Sequence, residues 1–413
     1  MDFLIFIHKK KDRKSRIMEA QKKNAILKEM IRLLSQNQTG LIKANEEDVN
    51  DYSGEDKAMY DRLIIDEKKV AGMIRSVEEV LEKEDPVGRE LYRYTHPKGM
   101  TVINRTAAFG TIMIIYESRP DVTIEAAALA FKAGNRILLK GGKEAHRSNR
   151  FLVDCWHKAL ASQQESTRLI QYLDYPREKT QAFLKSPSIP IDLIVPRGGE
   201  RLISFVKQHA QCPVLVSGRG NNFLYVHSDA DWQMAQAIIM NAKTQKISAC
   251  NALDKVLIDQ STPQIEKKVN ELIDQLQSQG VEVWGGSEAQ LFNKRGLPIA
   301  KGESPWLEEF LGLKILIDFS DTLENAVKRI NQFSGGHSAT ILTEDESIAA
   351  YFMENIDAAA VYHNASTRFT DGGQFGMGGE LAISTDKLHH RGPLGLNQLV
   401  SNKWYIYGQG QVR

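Results

Sequence analysis

Residues 111–140 read TIMIIYESRPDVTIEAAALAFKAGNRILLK, and the order of textures within them decides the fold. TIMIIY, at 111–116, is an unbroken apolar run without the alternation of a half-exposed strand, which suits a strand buried on both faces. IEAAALAFKAG then reads as a helix that stops on Gly134. RILLK, at 136–140, reads as a second strand. A strand, a crossover helix and a strand in so short a span make a βαβ unit, and hence a parallel sheet covered on both faces.

Working outward, the same texture recurs. IDLIV (191–195), PVLV (213–216) and FLYVH (223–227) are further strand candidates, with helical runs between most of them. A second set follows: helix DWQMAQAIIMNAK, strand KVLI (255–258), helix PQIEKKVNELIDQLQ and strand VEVW (281–284), then KILI (314–317), SATIL (338–342) and AAVYH (359–363). Towards the amino end, AQKKNAILKEMIRLLSQ aligns Ile26, Leu27, Met30, Ile31 and Leu34 on one helical stripe. DEKKVAGMIRSVEEVLEKEDP aligns Val70, Met73, Ile74, Val77 and Leu81 on another, closed by Pro86. The expected fold is α/β, with two parallel-sheet domains packed together and a boundary near residue 222, since no repeat or Pro/Ser-rich linker intervenes. KWYIYGQGQVR, at the end, alternates loosely and suits an exposed strand that pairs with something.

Composition narrows the partners. The chain has 413 residues, 53 basic and 52 acidic side chains and a net charge of +1. That balance argues against nucleic acid or an acidic membrane surface. Three scattered cysteines, Cys155, Cys212 and Cys250, fit neither a disulfide framework nor a zinc spacing, so a reducing, cytoplasmic compartment is expected. No run approaches the ~18 apolar residues of a membrane span. MDFLIFIHKKKDRKSR has a short apolar run and its charges on the wrong side for a signal peptide. Residues 1–17 are expected to be a disordered leader, with Met18 as the working start.

A buried cysteine ordinarily serves as a small apolar filler. Cys250 sits instead in QKISACNAL, among small and amide-bearing neighbours that let a substrate approach and can donate hydrogen bonds to an oxyanion. Cys212 (AQCPVLV) and Cys155 (FLVDCWHKAL) read as packing residues. LKGGKEAHRSNR and VPRGGERLISF each follow a strand and open a helix, where free N–H groups favour anions. Two such junctions beside a parallel sheet suggest a dinucleotide, with Lys140 in reach of ribose hydroxyls or a phosphate, although neither is a G-x-G-x-x-G fingerprint. FGMGGE lacks the companions of a kinase loop. Arg119, in YESRPDVT, puts a cation at the carboxyl edge of the sheet, where α/β ligands bind. His337, His389 and His390 lack metal-ligand spacing, so no metal is expected.

Taken together, IYESRPDVTIEAAALAFKAGN, VPRGGERLISFV, NAKTQKISACNAL, NASTRFTDGGQFGMGGELAISTDKLHHRGPLGL and GQGQVR resemble the aldehyde dehydrogenase superfamily, and within it the gamma-glutamyl phosphate reductase family, from about residue 40 to the end. The resemblance implies a Rossmann-like cofactor domain (1–98 and 112–222), a catalytic domain (223–383), and an oligomerisation hairpin with a terminal strand (99–111 and 384–413). It implies NADPH as reductant, L-glutamyl 5-phosphate as substrate, a place in proline biosynthesis, a homodimer or larger assembly and a possible pairing with glutamate 5-kinase. Carried over, it makes Cys250 the nucleophile, with Asn251 and Ser118 near the oxyanion. The wider superfamily has an asparagine in place of Ser118. Lys140 would hold the adenosine ribose, Gly198 and Gly199 would lie by the cofactor phosphates, and Glu309 would hold the nicotinamide ribose.

Arg119 and Arg368 are alternative holders of the phosphate and the α-carboxylate. Hydrolytic superfamily members carry a water-activating glutamate where this chain has Val216 or Ser217 in VLVSGRGNN. An enzyme that reduces its thioester has no use for activated water, so the missing base favours reduction. The competing readings are another acylating or semialdehyde dehydrogenase, and a non-catalytic nucleotide-binding module of the same fold.

Overall fold

The computed structural model describes residues 18–413 except 56, 217, 287–293 and 389, so the expected leader lies outside the described residues. Two compact units divide the chain, one up to Val214 with Leu396–Arg413, the other Leu215–Gly395.

The first unit contains two sheets. β1 (Glu90–Thr95) and β2 (Thr101–Ala108) form an antiparallel hairpin. β3 (Thr111–Tyr116) and β4 (Arg136–Lys140) are the two strands of the opening βαβ unit, followed by β5 (Ile170–Tyr172) and β6 (Leu193–Arg197). These last four form a parallel sheet in the order β5-β4-β3-β6. Every residue of β3 is buried, as its unbroken apolar run requires. The helix Val122–Lys132 is buried almost all round, which its alanines permit by letting neighbouring elements approach closely. Met113, Ile115, Leu138 and Ile194 join Phe183, Leu184 and Val206 in a core on this sheet. The chain leaves β3 towards β4 and β5, then returns to add β6 on the other side. The switch point, where such sheets bind ligands, therefore lies between the carboxyl ends of β3 and β6.

Two expectations shift. PVLV supplies no strand; Val214 makes an isolated bridge to Ile194, and Pro213 accepts from the Ile194 N–H but has none of its own to extend the ladder. The hairpin begins at Glu90, because the wholly exposed ELYRYT leaves no apolar signature in the sequence.

The second unit is built on β7 (Asn222–Val226), β8 (Leu253–Asp259), β9 (Glu282–Gly285), β10 (Lys314–Ser320), β11 (Ser338–Leu342) and β12 (Ala360–His363). They form a parallel sheet in the order β12-β11-β7-β8-β10-β9. Alternate residues feed opposite faces. Leu224, Val226, Val256, Ile258, Ile315 and Ile317 pack under the helices Trp232–Thr244 and Ile265–Ser278. Phe223, Tyr225, Leu257 and Leu316 face Trp306, Ile330 and Phe352. A two-residue ribbon, β13 (Ile383–Ser384) with β14 (Gly392–Pro393), follows. Back in the first unit, β15 (Val400–Tyr407) pairs along β2. Its register aligns Trp404 and Ile406 with Tyr92 and Tyr94 on one face of that sheet, all four exposed. No described helix is long and apolar enough to cross a membrane.

Candidate active site

In the first unit the expected cofactor residues gather at the carboxyl edge of the parallel sheet. Lys140 ends β4, and its ammonium donates to the Gly141 carbonyl. Burial lowers its pKa, opposed by Glu144 and Asp174. It lines a cleft of about 370 Å³ with Gly141, Lys143, His146, Tyr172 and Asp174. A side-chain carbon on Gly141 would stand 2.2 Å from Asn149 Nδ2 and 3.1 Å from Tyr116, so glycine keeps the backbone low there.

Across the switch point, the Gly199 N–H donates to the Glu117 carboxylate at 2.9 Å. A side-chain carbon on Gly198 would meet the same carboxylate. The protein thus places its own anion on the glycine turn expected to receive a phosphate. Ser118 behaves alike. At the end of β3 it adopts φ +21° and gives both its N–H (2.7 Å) and its hydroxyl (2.8 Å) to Glu144 Oε1. Its hydroxyl is engaged, so the role expected of Ser118 as an oxyanion donor finds no free O–H here. Arg119 is half-buried, in the electrostatic neighbourhood of Lys69 and Glu125. Burial lifts the Glu125 carboxyl well above the usual range.

In the second unit Cys250 occupies a turn in which the Ala252 N–H donates to the Ala249 carbonyl, between the helix Trp232–Thr244 and β8. This is the amino edge of its sheet. Burial pushes the Cys155 thiol up to about 11 and raises that of Cys212, as befits packing residues. Asn251 is buried, and its carboxamide donates to the carbonyls of Arg368 (3.1 Å) and Thr370 (3.0 Å). The side chain therefore fastens the turn to 366–370 rather than offering N–H groups to a ligand. Thr367 Oγ1 completes the fastening with a bond to the Asn251 carbonyl at 2.8 Å.

That fastening ties the backbone of Arg368 to the cysteine turn, and its guanidinium interacts electrostatically with Cys250. Arg368 Nε donates to Gln245, whereas its buried Nη1 has no hydrogen-bond partner among the described residues. Burial lowers the Arg368 pKa, and the attraction of Cys250 and Asp371 opposes it. A guanidinium with a spare donor beside a cysteine suits an anionic acyl substrate and also favours a thiolate. Glu309 is half-buried, its carboxyl pushed up to about 7 by burial against a hydrogen bond from the Gly220 N–H.

Two residues that sequence reasoning passed over hold this arrangement together. Gly220 packs against the Cys250 backbone, and Asn222 donates to the Cys250 carbonyl at 2.8 Å. Both lie in VLVSGRGNN; its paired asparagines just before a buried strand were the available signal, since a buried carboxamide must be satisfied by something. Ser217, at the place of the missing base, lies outside the described residues, as does His389. Among the described residues no cluster of His, Cys, Asp and Glu is arranged to hold a metal ion.

Comparison with known proteins agrees along nearly the whole chain. Residues 7–283 match the aldehyde dehydrogenase family. The gamma-glutamyl phosphate reductase of Dictyoglomus thermophilum is 37% identical over 399 residues, covering 96% of this chain and 95% of the relative. That of Streptococcus sanguinis is 40% identical over 401 residues, covering 95% and 94%. The crystal structure of the gamma-glutamyl phosphate reductase of Thermotoga maritima superposes with a TM-score of 0.91 at 36% identity, covering 97% of this chain and 96% of that one.

Proposed function

The chain belongs to the aldehyde dehydrogenase family and, within it, to the gamma-glutamyl phosphate reductases, and from that premise we propose that it reduces L-glutamyl 5-phosphate to L-glutamate 5-semialdehyde with NADPH, releasing phosphate. The observation that carries the reading is the Arg368 guanidinium, which has a buried Nη1 without a partner among the described residues and is attracted electrostatically by Cys250.

Cys250 thiolate attacks the acyl carbon, the carbon–oxygen bond to phosphate breaks, and a thioester remains. Phosphate is a good leaving group at neutral pH and needs little help from an acid. Arg368 holds an anionic end of the substrate during this step, and Arg119 is the candidate for the other. The nicotinamide cofactor, when bound, supplies the hydride that reduces the thioester. Cys250 then departs as thiolate, and the oxyanion closes to the aldehyde. Each preorganised donor to that oxyanion is typically worth about 3 kcal/mol.

The residues present fit a dinucleotide. Lys140, Lys143, His146 and Tyr172 border a cleft whose glycine floor admits a nucleotide, and Lys140 would hold the adenosine ribose. Gly198 and Gly199 would lie by the phosphates once Glu117 yields its place, and the Glu309 carboxylate would accept from the nicotinamide ribose. Two lysines, Lys140 and Lys143, against one carboxylate, Asp174, on the lining of the cleft support NADPH over NADH. On this reading the first unit is the cofactor domain and the second the catalytic domain. The exposed Tyr92, Tyr94, Trp404 and Ile406 support assembly of a homodimer or larger oligomer through the β1-β2-β15 sheet, an edge that would otherwise invite aggregation. The reaction would be the second step of proline biosynthesis from glutamate, in the cytoplasm, after glutamate 5-kinase.

The test is the reverse assay with glutamate 5-semialdehyde and NADP⁺, run with and without phosphate. Phosphate-dependent formation of NADPH is expected. Equal rates without phosphate would point to hydrolysis or another acyl acceptor, and no turnover would favour a binding module.

A further inference from the structure

Lys255 is wholly buried in β8, the strand that follows the Cys250 turn, and no step of the proposed chemistry uses it. An ammonium is costly to bury, and burial lowers its pKa to about 7. What it touches belongs to one short segment. Its Nζ donates to the Glu308 carbonyl at 2.8 Å and stands 3.5 Å from the centroid of the Phe310 ring. Asp254, its neighbour in β8, accepts from the Phe310 N–H at 2.9 Å. Adjacent residues of one strand thus hold both flanks of Glu309. The Phe310 ring is also met by Lys314, whose Nζ lies 4.4 Å from its centroid, so a second cation favours the same ring position.

Residues 308–310 lie between the helix Ser304–Leu307 and β10 and belong to neither. The bonds from β8 take the place of a ladder there. The Glu309 carboxylate itself is attracted by Lys255 and accepts from the Gly220 N–H. We infer that Lys255 is a positioning residue for the cofactor, and that by clamping residues 308–310 it aims the Glu309 carboxylate at the nicotinamide ribose. The inference rests on Glu309 receiving that ribose, as proposed above. A carboxylate on an unsupported segment would have to be ordered as the cofactor binds, whereas one fixed on folding carries no such cost at that moment. Because β8 follows directly on the cysteine turn, the same strand locates both the nucleophile and the ribose acceptor.

The experiment measures NADPH binding by fluorescence titration in the parent enzyme, Lys255→Met, Glu309→Gln and the double variant. Alkylation of Cys250 by iodoacetamide and the KM for phosphate in the reverse assay are read alongside. Methionine keeps most of the lysine stem and removes the charge. Lys255→Met is expected to raise the Kd for NADPH about tenfold, with the other two quantities within about threefold of the parent. A Kd within about threefold of the parent would overturn the inference. So would equal losses in all three measurements, because a disordered second unit explains that result. Since Lys255 acts through Glu309, the double variant should bind NADPH within about twofold of Glu309→Gln alone, and fully additive losses would overturn the inference. Glu309→Gln by itself reports separately on the premise: parental NADPH affinity there would remove the ribose role. If Lys255→Met does not fold, Phe310→Leu takes its place, because it removes the ring on which the ammonium rests. A Kd raised about threefold or more is expected there, and parental affinity would overturn the inference.

Discussion

A side-chain carbon on Gly220 would stand 2.0 Å from the carbonyl oxygen of Cys250 and 2.5 Å from its Cα. The two backbones touch, and the Gly220 N–H also binds the Glu309 carboxylate. One glycine thus sets the position of the candidate nucleophile relative to the carboxylate expected to hold the nicotinamide ribose. Gly220→Ala must push the cysteine turn aside, and a displacement of about 1 Å near reacting atoms can cost on the order of 100-fold. A kcat lower by that factor is expected. Gly72→Ala, on the helix Glu67–Glu82 where the added carbon meets the Arg75 guanidinium at 3.9 Å, should leave turnover unchanged.

Arg368 acts on Cys250 through charge. Arg368→Gln removes the cation that favours the thiolate, so the pH midpoint of Cys250 alkylation should move upward by about 0.5–1 unit. The Michaelis constant for phosphate in the reverse assay should rise about tenfold with it. An unmoved midpoint and an unchanged constant would return the anion-holding role to Arg119.

Glu309 carries a pH signature whose sign follows from burial. Its carboxyl is raised to about 7 in the folded chain from an ordinary value of 4.5. Between those values the unfolded chain has released a proton that the folded chain retains. Stability therefore falls as pH rises from 4.5 to 7, and the penalty stays constant above that. Glu309→Gln should raise stability at pH 8 by about 1–3 kcal/mol and have little effect at pH 4. Cofactor affinity should fall in the same variant, because an amide accepts hydroxyl bonds less strongly than a carboxylate. Paired denaturation curves at the two pH values check the first, and a cofactor titration the second.

Much of this was legible in the chain, for identifiable reasons. TIMIIY and SATIL announce buried strands because a parallel sheet covered on both faces needs unbroken apolar runs. Cys250 stands out because its neighbours are small. The rest lies in contacts that no local pattern encodes. The Ser118 hydroxyl looks free in sequence, but it binds Glu144, twenty-six positions along the chain. The Asn251 carboxamide resembles an oxyanion donor until its bonds to Arg368 and Thr370, more than a hundred residues away, are seen. Asn222 goes unnoticed because a buried asparagine is recognised by its partners, which come from the cysteine turn and from β11. The site in the second unit also sits at the amino edge of its sheet, opposite to where the general rule for α/β sheets directs the search.

The second sheet is further anchored by a buried ion pair. Lys243 Nζ lies 3.0 Å from Asp254 Oδ1, with both side chains almost fully shielded from water. Asp254 also accepts from the Phe310 N–H, one residue from Glu309. Lys243→Met removes the ion-pair partner of that buried carboxylate and should cost about 3–5 kcal/mol of stability. Lys243→Met combined with Asp254→Asn should recover part of the loss, as urea denaturation of the single and double variants would show.

The covalent step can be trapped. With glutamate 5-semialdehyde and NADP⁺ present and phosphate withheld, hydride leaves the substrate, and the acyl group has no acceptor to carry it off the enzyme. Acid-quenched protein, digested and read by mass spectrometry, should carry a glutamyl thioester on the peptide containing Cys250, and that mass should vanish when phosphate is added before the quench. A glutamyl mass on any other side chain, or none on the Cys250 peptide while NADPH is being formed, would contradict the account.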